Sequence, residues 1–346
     1  MTRFWGGIAA IMVGLALAFP AQAQNAPYFR GKTISLIYGG GIGGGYDTYA
    51  RMLQPHYAKH IPGNPRIIVK GVPGAGTLVA ANYLYEIAQG DGSEIGTVGS
   101  GTATAELLET PNIRFDPRKF VWLGSMTSDV SVALSWHTSG IATIQDTFER
   151  KMIVGGGGPT SGNVIFPLLL NRLLGTKFDI ITGYKSSGEA MLAVERGEVE
   201  GRCTTLNSLR TAQPHWLTDK LIRVLVVVSS VDDPEFASVP RAKDLLKSDA
   251  ERKAFDFFQA PDEIQNPYML PPGTPPEILA IYRKAFDSVV KDPAYLAEAI
   301  KRKQNVVPQT GDFVQKTIAA MYETPPEVIE RVKQATSVTG RIGTKN

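Results

Sequence analysis

Cysteine is almost absent: Cys203 is the only one in 346 residues. No intramolecular disulfide can form, so stability rests on the size of the core rather than on covalent staples. The cysteine that a lipid-anchored exported protein carries just after its signal is missing as well. Charge of one sign is equally scarce, with 36 Lys and Arg against 33 Asp and Glu and a formal net charge of +3. That balance, without any basic block, gives no footing for nucleic acid or an anionic membrane as partner. From residue 24 onward no apolar run approaches the length that crosses a bilayer.

What is present begins with a targeting segment. Met1-Thr2-Arg3 carries a positive charge, residues 8–19 are apolar, and Ala21-Gln22-Ala23 is a small-x-small cleavage site. The pattern predicts a signal peptide over 1–23 and a soluble, exported product. Roughly 320 remaining residues exceed the usual ceiling for one core, which predicts two domains.

Beyond the signal, short β-rich runs alternate with helical stretches. Strands are predicted at 33–38, 66–70, 94–98, 120–126, 130–136, 151–154, 178–182, 198–205 and 223–229, followed by a mainly helical C-terminal third. Thr274-Pro275-Pro276-Glu277 and Thr324-Pro325-Pro326-Glu327 read as helix starts with capping threonines. The layout is α/β with mostly parallel sheets. Its informative feature is recurrence: turns rich in glycine, serine and threonine follow at least four strands, in both halves of the chain. In open α/β sheets, ligands bind where such turns converge at the strand C-terminal edge. Glycine lets the backbone approach a ligand, and each helix start adds unpaired N–H donors that suit an anion.

Other chemistries fit less well. Gly39, Gly41 and Gly44 satisfy the G-x-G-x-x-G spacing. However, no acidic residue ends a second strand about 20 residues on, where a dinucleotide's ribose would need one. His56 and His60 have helical metal-ligand spacing but no third ligand, which favours solvated or rim histidines. Gly31-Lys32-Thr33 resembles the end of a phosphate loop, yet Ala26 stands where glycine should be. The rival class is an exported α/β-hydrolase-like enzyme acting on a small ester or acid. Gly158-Pro159-Thr160-Ser161-Gly162 comes nearest to its G-x-S-x-G turn, but the central residue is Thr160, and neither His137 nor His215 is paired with a nucleophile. Ser186 with Glu189 forms a capping box, and Asp47 reads first as a helix-start residue.

One set of motifs carries a resemblance. Tyr28-Phe29-Arg30-Gly31-Lys32-Thr33-Ile34, the Gly-Gly-Tyr-Asp-Thr-Tyr-Ala-Arg run at 44–51, Ile61-Pro62-Gly63-Asn64-Pro65, Val72-Pro73-Gly74-Ala75-Gly76 and Asp91-Gly92-Ser93-Glu94-Ile95-Gly96 occur in that order. Gly183-Tyr184-Lys185-Ser186-Ser187-Gly188 and Glu195-Arg196-Gly197-Glu198-Val199-Glu200 continue the series. The chain resembles the periplasmic substrate-binding component of tripartite tricarboxylate transporters, the Bug-type solute receptors. The resemblance implies a two-lobed periplasmic-binding-protein fold of type II, with the ligand cleft between the lobes. It implies a monomer that binds a small organic carboxylate (a di- or tricarboxylate, or an aromatic acid) and delivers it to membrane transport subunits. No catalytic residue, cofactor or metal is implied.

Carried over by position, the first lobe contributes Ile42, Gly43, Gly44, Tyr46, Asp47, Gly74, Ala75, Gly76, Thr77 and Ser100. The second contributes Gly158, Thr160, Ser161, Tyr184, Lys185, Ser187 and Arg202. Asn163 stands where many members have a histidine at the start of the fourth loop's helix. Lobe 1 is expected over 24–124 and 242–346 and lobe 2 over 125–241, with the hinge near 122–128 and 228–242. Arg202 is either the ligand's guanidinium partner or half of an ion pair with Glu200 or Glu198. Tyr38, Tyr46 and Tyr184 are candidate apolar walls, packing within a lobe being the alternative for Tyr38.

Overall fold

Residues 33–38 and 121–127 are apolar with little alternation, and the structure buries almost all of both runs. Only a sheet covered on both faces permits that. The structure is a computed structural model that describes residues 28–157, 161–184, 187–229, 231, 233–336 and 342–344. The expected signal peptide, Gly158, Thr160, Lys185 and Ser186 lie outside the described residues.

Along the chain the strands are β1 (Thr33–Tyr38), β2 (Arg66–Gly71), β3 (Glu94–Thr97), β4 (Val121–Thr127), β5 (Ser131–Trp136) and β6 (Met152–Gly155). They continue as β7 (Phe178–Thr182), β8 (Gly201–Thr205), β9 (Ile222–Val227), β10 (Gln265–Leu270), β11 (Gln309–Thr310) and β12 (Ile342–Thr344). Two six-stranded sheets result, in the orders β11-β4-β10-β3-β1-β2 and β12-β7-β6-β8-β5-β9. Apolar side chains fill both faces of each. Leu36 and Tyr38 pack on one side of β1 and Ile37 on the other, while Ala133 and its neighbours Val132 and Leu134 divide likewise on β5.

Both sheets are mixed. The strands that precede glycine loops are parallel: β1 with β2 and β3, and β6 with β7 and β8. The antiparallel members lie where the chain crosses between sheets. β10 runs against β3 and β4, and β5 runs against β8 and β9.

This topology decides where the loops point. Because β10 opposes both β3 and β4, β4 ends at the same edge as β1, β2 and β3. Because β5 opposes β8, β5 begins at the edge where β6, β7 and β8 end. The crossing at 128–130 therefore joins the two glycine-loop edges directly. The return from β9 to β10 joins the same two edges. The loops of the two sheets thus face the segments that connect the sheets.

Three features differ from the reading of the sequence. β10 lies in the C-terminal third that reads as mainly helical; its Pro267 argues against a central strand, and the register shifts beside it, between Tyr268 and Met269. The chain after 242, expected with the first lobe, reaches both. Phe255 of helix Asp249–Gln259 and Ala335 of helix Pro326–Thr336 enter the second lobe's core, and β12 pairs with β7. Thr274 does not cap its helix: Pro275 takes that position, and Thr274 Oγ1 donates to Pro271 O at 2.7 Å.

The returning chain places Asp262 beside the crossing, 8% exposed. Its carboxylate accepts from Ser131 Oγ of β5 and from Gln265 Nε2 of β10, both at 3.0 Å, so it touches both sheets. Burial, with the nearby Asp129 and Glu263 charges, pushes its pKa up to about 7 against the pull of the Ser131 and Gln265 hydrogen bonds. A folded-state pKa raised above the unfolded value gives stability that is complete below the unfolded pKa and is lost as pH rises through the folded one. A rise of that size corresponds to a swing on the order of 4 kcal/mol. Urea unfolding of the unaltered protein and of Asp262→Asn should therefore diverge between pH 5 and pH 8, with the substitution removing part of the loss on the alkaline side. Parallel profiles would refute the assignment.

Candidate functional site

The first loop turns at Gly43, whose φ of 79° suits glycine. Its amide donates to Asp47 Oδ2 at 2.8 Å, while Asp47 Oδ1 accepts from Arg51 Nε at 2.7 Å. Burial raises the Asp47 pKa, but the Gly43 amide, the Tyr38 hydroxyl and Arg51 outweigh it and hold the carboxyl below its ordinary value. Asp47, 4% exposed, is thus an engaged carboxylate at a helix start, where the helix dipole favours it. Ile42, at the tip, is 88% exposed. Tyr38 is core, as packing alone would have it.

The second and third loops close on the first around Thr77. Its Oγ1 accepts from Gly99 N at 2.9 Å. A Cβ placed on Gly99 would lie 3.1 Å from the Tyr46 hydroxyl, so Tyr46 reaches the same point. Thr77 and Ser100 are both buried there, whereas Gly74 and Ala75 remain exposed at the rim. Gly76 lies in the short helix Ala75–Thr77.

In the second lobe, Gly183 N donates to Gly157 O at 3.1 Å and Tyr184 N to Gly156 O at 3.4 Å, clipping the loops after β6 and β7 together. Asn163 Oδ1 accepts from Gly157 N at 2.9 Å and from Ser161 Oγ at 2.6 Å. The Ser161 hydroxyl thus donates to an amide oxygen. His215 lies 3.7 Å from Glu195, on another helix.

One property unites these loops. Gly44, Gly74, Thr77, Gly99 and Ser161 each precede a helical turn, and none supplies a side-chain cap. Elsewhere Asp116, Asp233, Ser248, Asp292 and Thr310 do cap their helices. Thr205, at the end of β8, caps its helix as well, and Gln145, Gln213, Arg241, Gln259 and Pro275 leave theirs uncapped away from the loops, so open starts are present at the two facing edges without being confined to them.

Arg202 adds a charge to this edge. It is 1% exposed; Nη1 donates to Ser187 O at 2.8 Å and Nε to Cys203 O at 3.4 Å. The carboxylates weighed as partners are engaged elsewhere. Glu200 holds Arg150 at 3.0 Å and Ile153 N at 2.8 Å, and Glu198 lies 4.0 Å from Arg196. Among the described residues no carboxylate pairs with Arg202. Burial lowers its pKa to about 10, so it stays a cation at neutral pH.

His56 and His60 each face a carboxylate, Glu298 at 2.8 Å and Asp292 at 3.0 Å, and clamp helix Gly45–His60 onto the helix that Asp292 caps. No cluster able to hold a metal occurs among the described residues.

A cavity of about 470 Å³ beside the crossing was not foreseen. Asp129, Asn207 and Arg210 line one side, and Lys303 and Asn305 line the other. Asp129 Oδ1 accepts from Val130 N at 2.9 Å and Asn207 N at 3.2 Å, while Tyr49 Oη donates to Asn305 O at 2.7 Å. The one signal was Thr204-Thr205-Leu206-Asn207, a further polar strand-to-helix turn; the 303–305 segment offers none.

A family model described as the tripartite tricarboxylate transporter family receptor matches residues 49–333. The "UPF0065 protein in gbd 5'region" of Cupriavidus necator is 28% identical over 301 residues, covering 84% of each chain. A solved TctC solute-binding protein from Polaromonas aligns with a TM-score of 0.66 at 18% identity, over 87% of this chain and 98% of its own. MatC from Rhodopseudomonas palustris, solved with bound malate, gives 0.60 at 19%, over 88% and 99%.

The Asp47 geometry makes a direct prediction. Asp47→Ala releases the Gly43 amide and the helix-start charge, and should destabilise the protein by about 1–2 kcal/mol in urea unfolding at pH 7. A change below about 0.5 kcal/mol, the range of an ordinary surface substitution, would show that Asp47 does not hold the loop.

Proposed function

Since the chain belongs to the tripartite tricarboxylate transporter receptor family, we propose that it is an exported, periplasmic receptor that closes its two lobes over a small organic carboxylate and presents it to membrane transport subunits. The observation that carries the ligand class is the pairing of uncapped helix starts on two facing edges with a buried arginine lacking a carboxylate partner. Malate in the related MatC structure fits that class.

The energetics are sufficient. A charge-assisted hydrogen bond to a carboxylate contributes about 1.5–3 kcal/mol, and a micromolar complex needs roughly 8 kcal/mol. Two bonds from Arg202, several loop amides and the burial of a small hydrocarbon body reach that sum. Hinge closure follows from differential affinity. A ligand that touches both lobes binds the closed form better and so populates it, and the closed form is what the transporter subunits would recognise.

A thermal-shift screen across mono-, di- and tricarboxylates, aromatic acids, amino acids and sugars tests the class. A true ligand at about 100 times its Kd stabilises by roughly 2.7 kcal/mol. Hits confined to sugars would overturn the reading.

Arg202 has its own test, in which stability and binding should move in opposite directions. Arg202→Met removes a buried cation without a carboxylate partner, so the ligand-free protein should gain on the order of 1–4 kcal/mol. Affinity for the best acid should fall about tenfold or more, equal to one lost bond of roughly 1.4 kcal/mol. An affinity unchanged within about twofold would make Arg202 structural.

A further inference from the structure

Thr77 is in an unfavourable position for its residue type. Its φ of 83° and ψ of −6° place a β-branched side chain in the left-handed region, directly after Gly74 at φ 138° and Ala75 at φ 45°. Threonine rarely adopts that conformation, and such outliers persist where the surrounding structure enforces them, often at functional sites. A second local preference is also given up. Thr77 occupies the N-cap of helix Leu78–Glu86, where a threonine hydroxyl normally accepts from its own helix, yet no such bond forms.

The hydroxyl is used on a different loop. Oγ1 accepts from Gly99 N at 2.9 Å, and Gly99 O accepts in turn from Thr102 Oγ1 at 2.7 Å. Gly99 is thus held at both its amide and its carbonyl, one residue before Ser100. Two glycines pack closely against Thr77. A Cβ on Gly39 would lie 2.6 Å from the Thr77 Cβ, and one on Gly99 would lie 3.2 Å from its Oγ1. Glycine at 39 and 99 makes room for this one side chain, which joins the loops after β1, β2 and β3.

We propose that Thr77 is a positioning residue: its hydroxyl fixes Gly99 and Ser100 in the register in which the first lobe offers its amides, and it does not itself contact the ligand. This rests on the receptor reading above, and it replaces for Thr77 the direct contact that the family resemblance implies.

The test combines binding with amide exchange, using the best acid from the screen. Thr77→Val keeps the shape and removes the acceptor. It should speed exchange of the Gly99 amide by about tenfold or more and weaken binding by a similar factor. Thr77→Ser should restore most of the affinity. In a double-mutant cycle, Ser100→Ala should cost far less in the Thr77→Val background than alone, because the loop has already lost its register. Additive losses would mean that Thr77 and Ser100 act independently, and the proposal would fail. If Thr77→Val does not fold, the unaltered protein still decides: its Gly99 amide must exchange slowly without ligand, and exchange at the rate of an open loop sinks the idea. A protein that binds no carboxylate would end the receptor reading, and this proposal with it. Binding with a fast Gly99 amide would end this proposal alone.

Discussion

A backbone N–H withdrawn from water must find an acceptor, and each helix start carries donors that its own helix cannot satisfy. Much of this molecule follows from where those donors are left open. Ser248 and Glu251 cap each other's amides in a reciprocal box, and Asp292 and Thr310 cap their own helices. At the two facing edges Thr205 still caps its helix, but the other starts depart from the rule. Thr77 and Ser161 are residue types that cap well, yet their hydroxyls turn to Gly99 N and Asn163 Oδ1. The side chains there tie loops together and leave those helix starts without a side-chain cap. An anion fits that vacancy better than a neutral molecule, because the helix ends carry partial positive charge.

Two buried ionisable groups show the same economy in different ways. Asp262 sits between the sheets without a cation and meets the cost of burial by holding a proton near neutral pH. Arg202 has no such escape, since its pKa of about 10 keeps it charged. A buried cation that cannot discharge is costly unless acceptors meet it, and here Ser187 O and Cys203 O do so only in part. The arginine and the open amides both support the proposed carboxylate ligand.

The glycine loops could be read in advance because an amide-based site needs a particular composition: glycine for close approach, serine and threonine for short ties. Parallel strands before those loops were equally legible from apolar runs. What escaped depends on contacts between distant segments. β10 was hidden by Pro267, which forfeits a ladder donor and suggests an edge, although its place between β3 and β4 is central. The hinge cavity joins Asp129, Asn207 and Asn305, separated by long stretches of chain and lacking any shared motif. The freedom of Arg202 from an ion pair could not be read either, since Glu200 stands two residues away and turns to Arg150 only in three dimensions.

The strained turn at Thr77 bears on how such a receptor discriminates between acids. A cleft lined by mobile amides would accept any anion of suitable size, because the loops would adjust at little cost. Here the loops are tied down on both sides: the Gly43 amide is engaged by Asp47, the Gly99 amide by Thr77, and the Arg202 guanidinium is held by Ser187 O. In the proposed receptor, loops so fixed would set the distance that a bound acid must span. An acid of the wrong length then leaves a donor unsatisfied in a desolvated cleft, which costs more than the bond it would have made. Under the proposed function, rigid loops would select acids by length, and the turn at Thr77 would be one source of that rigidity.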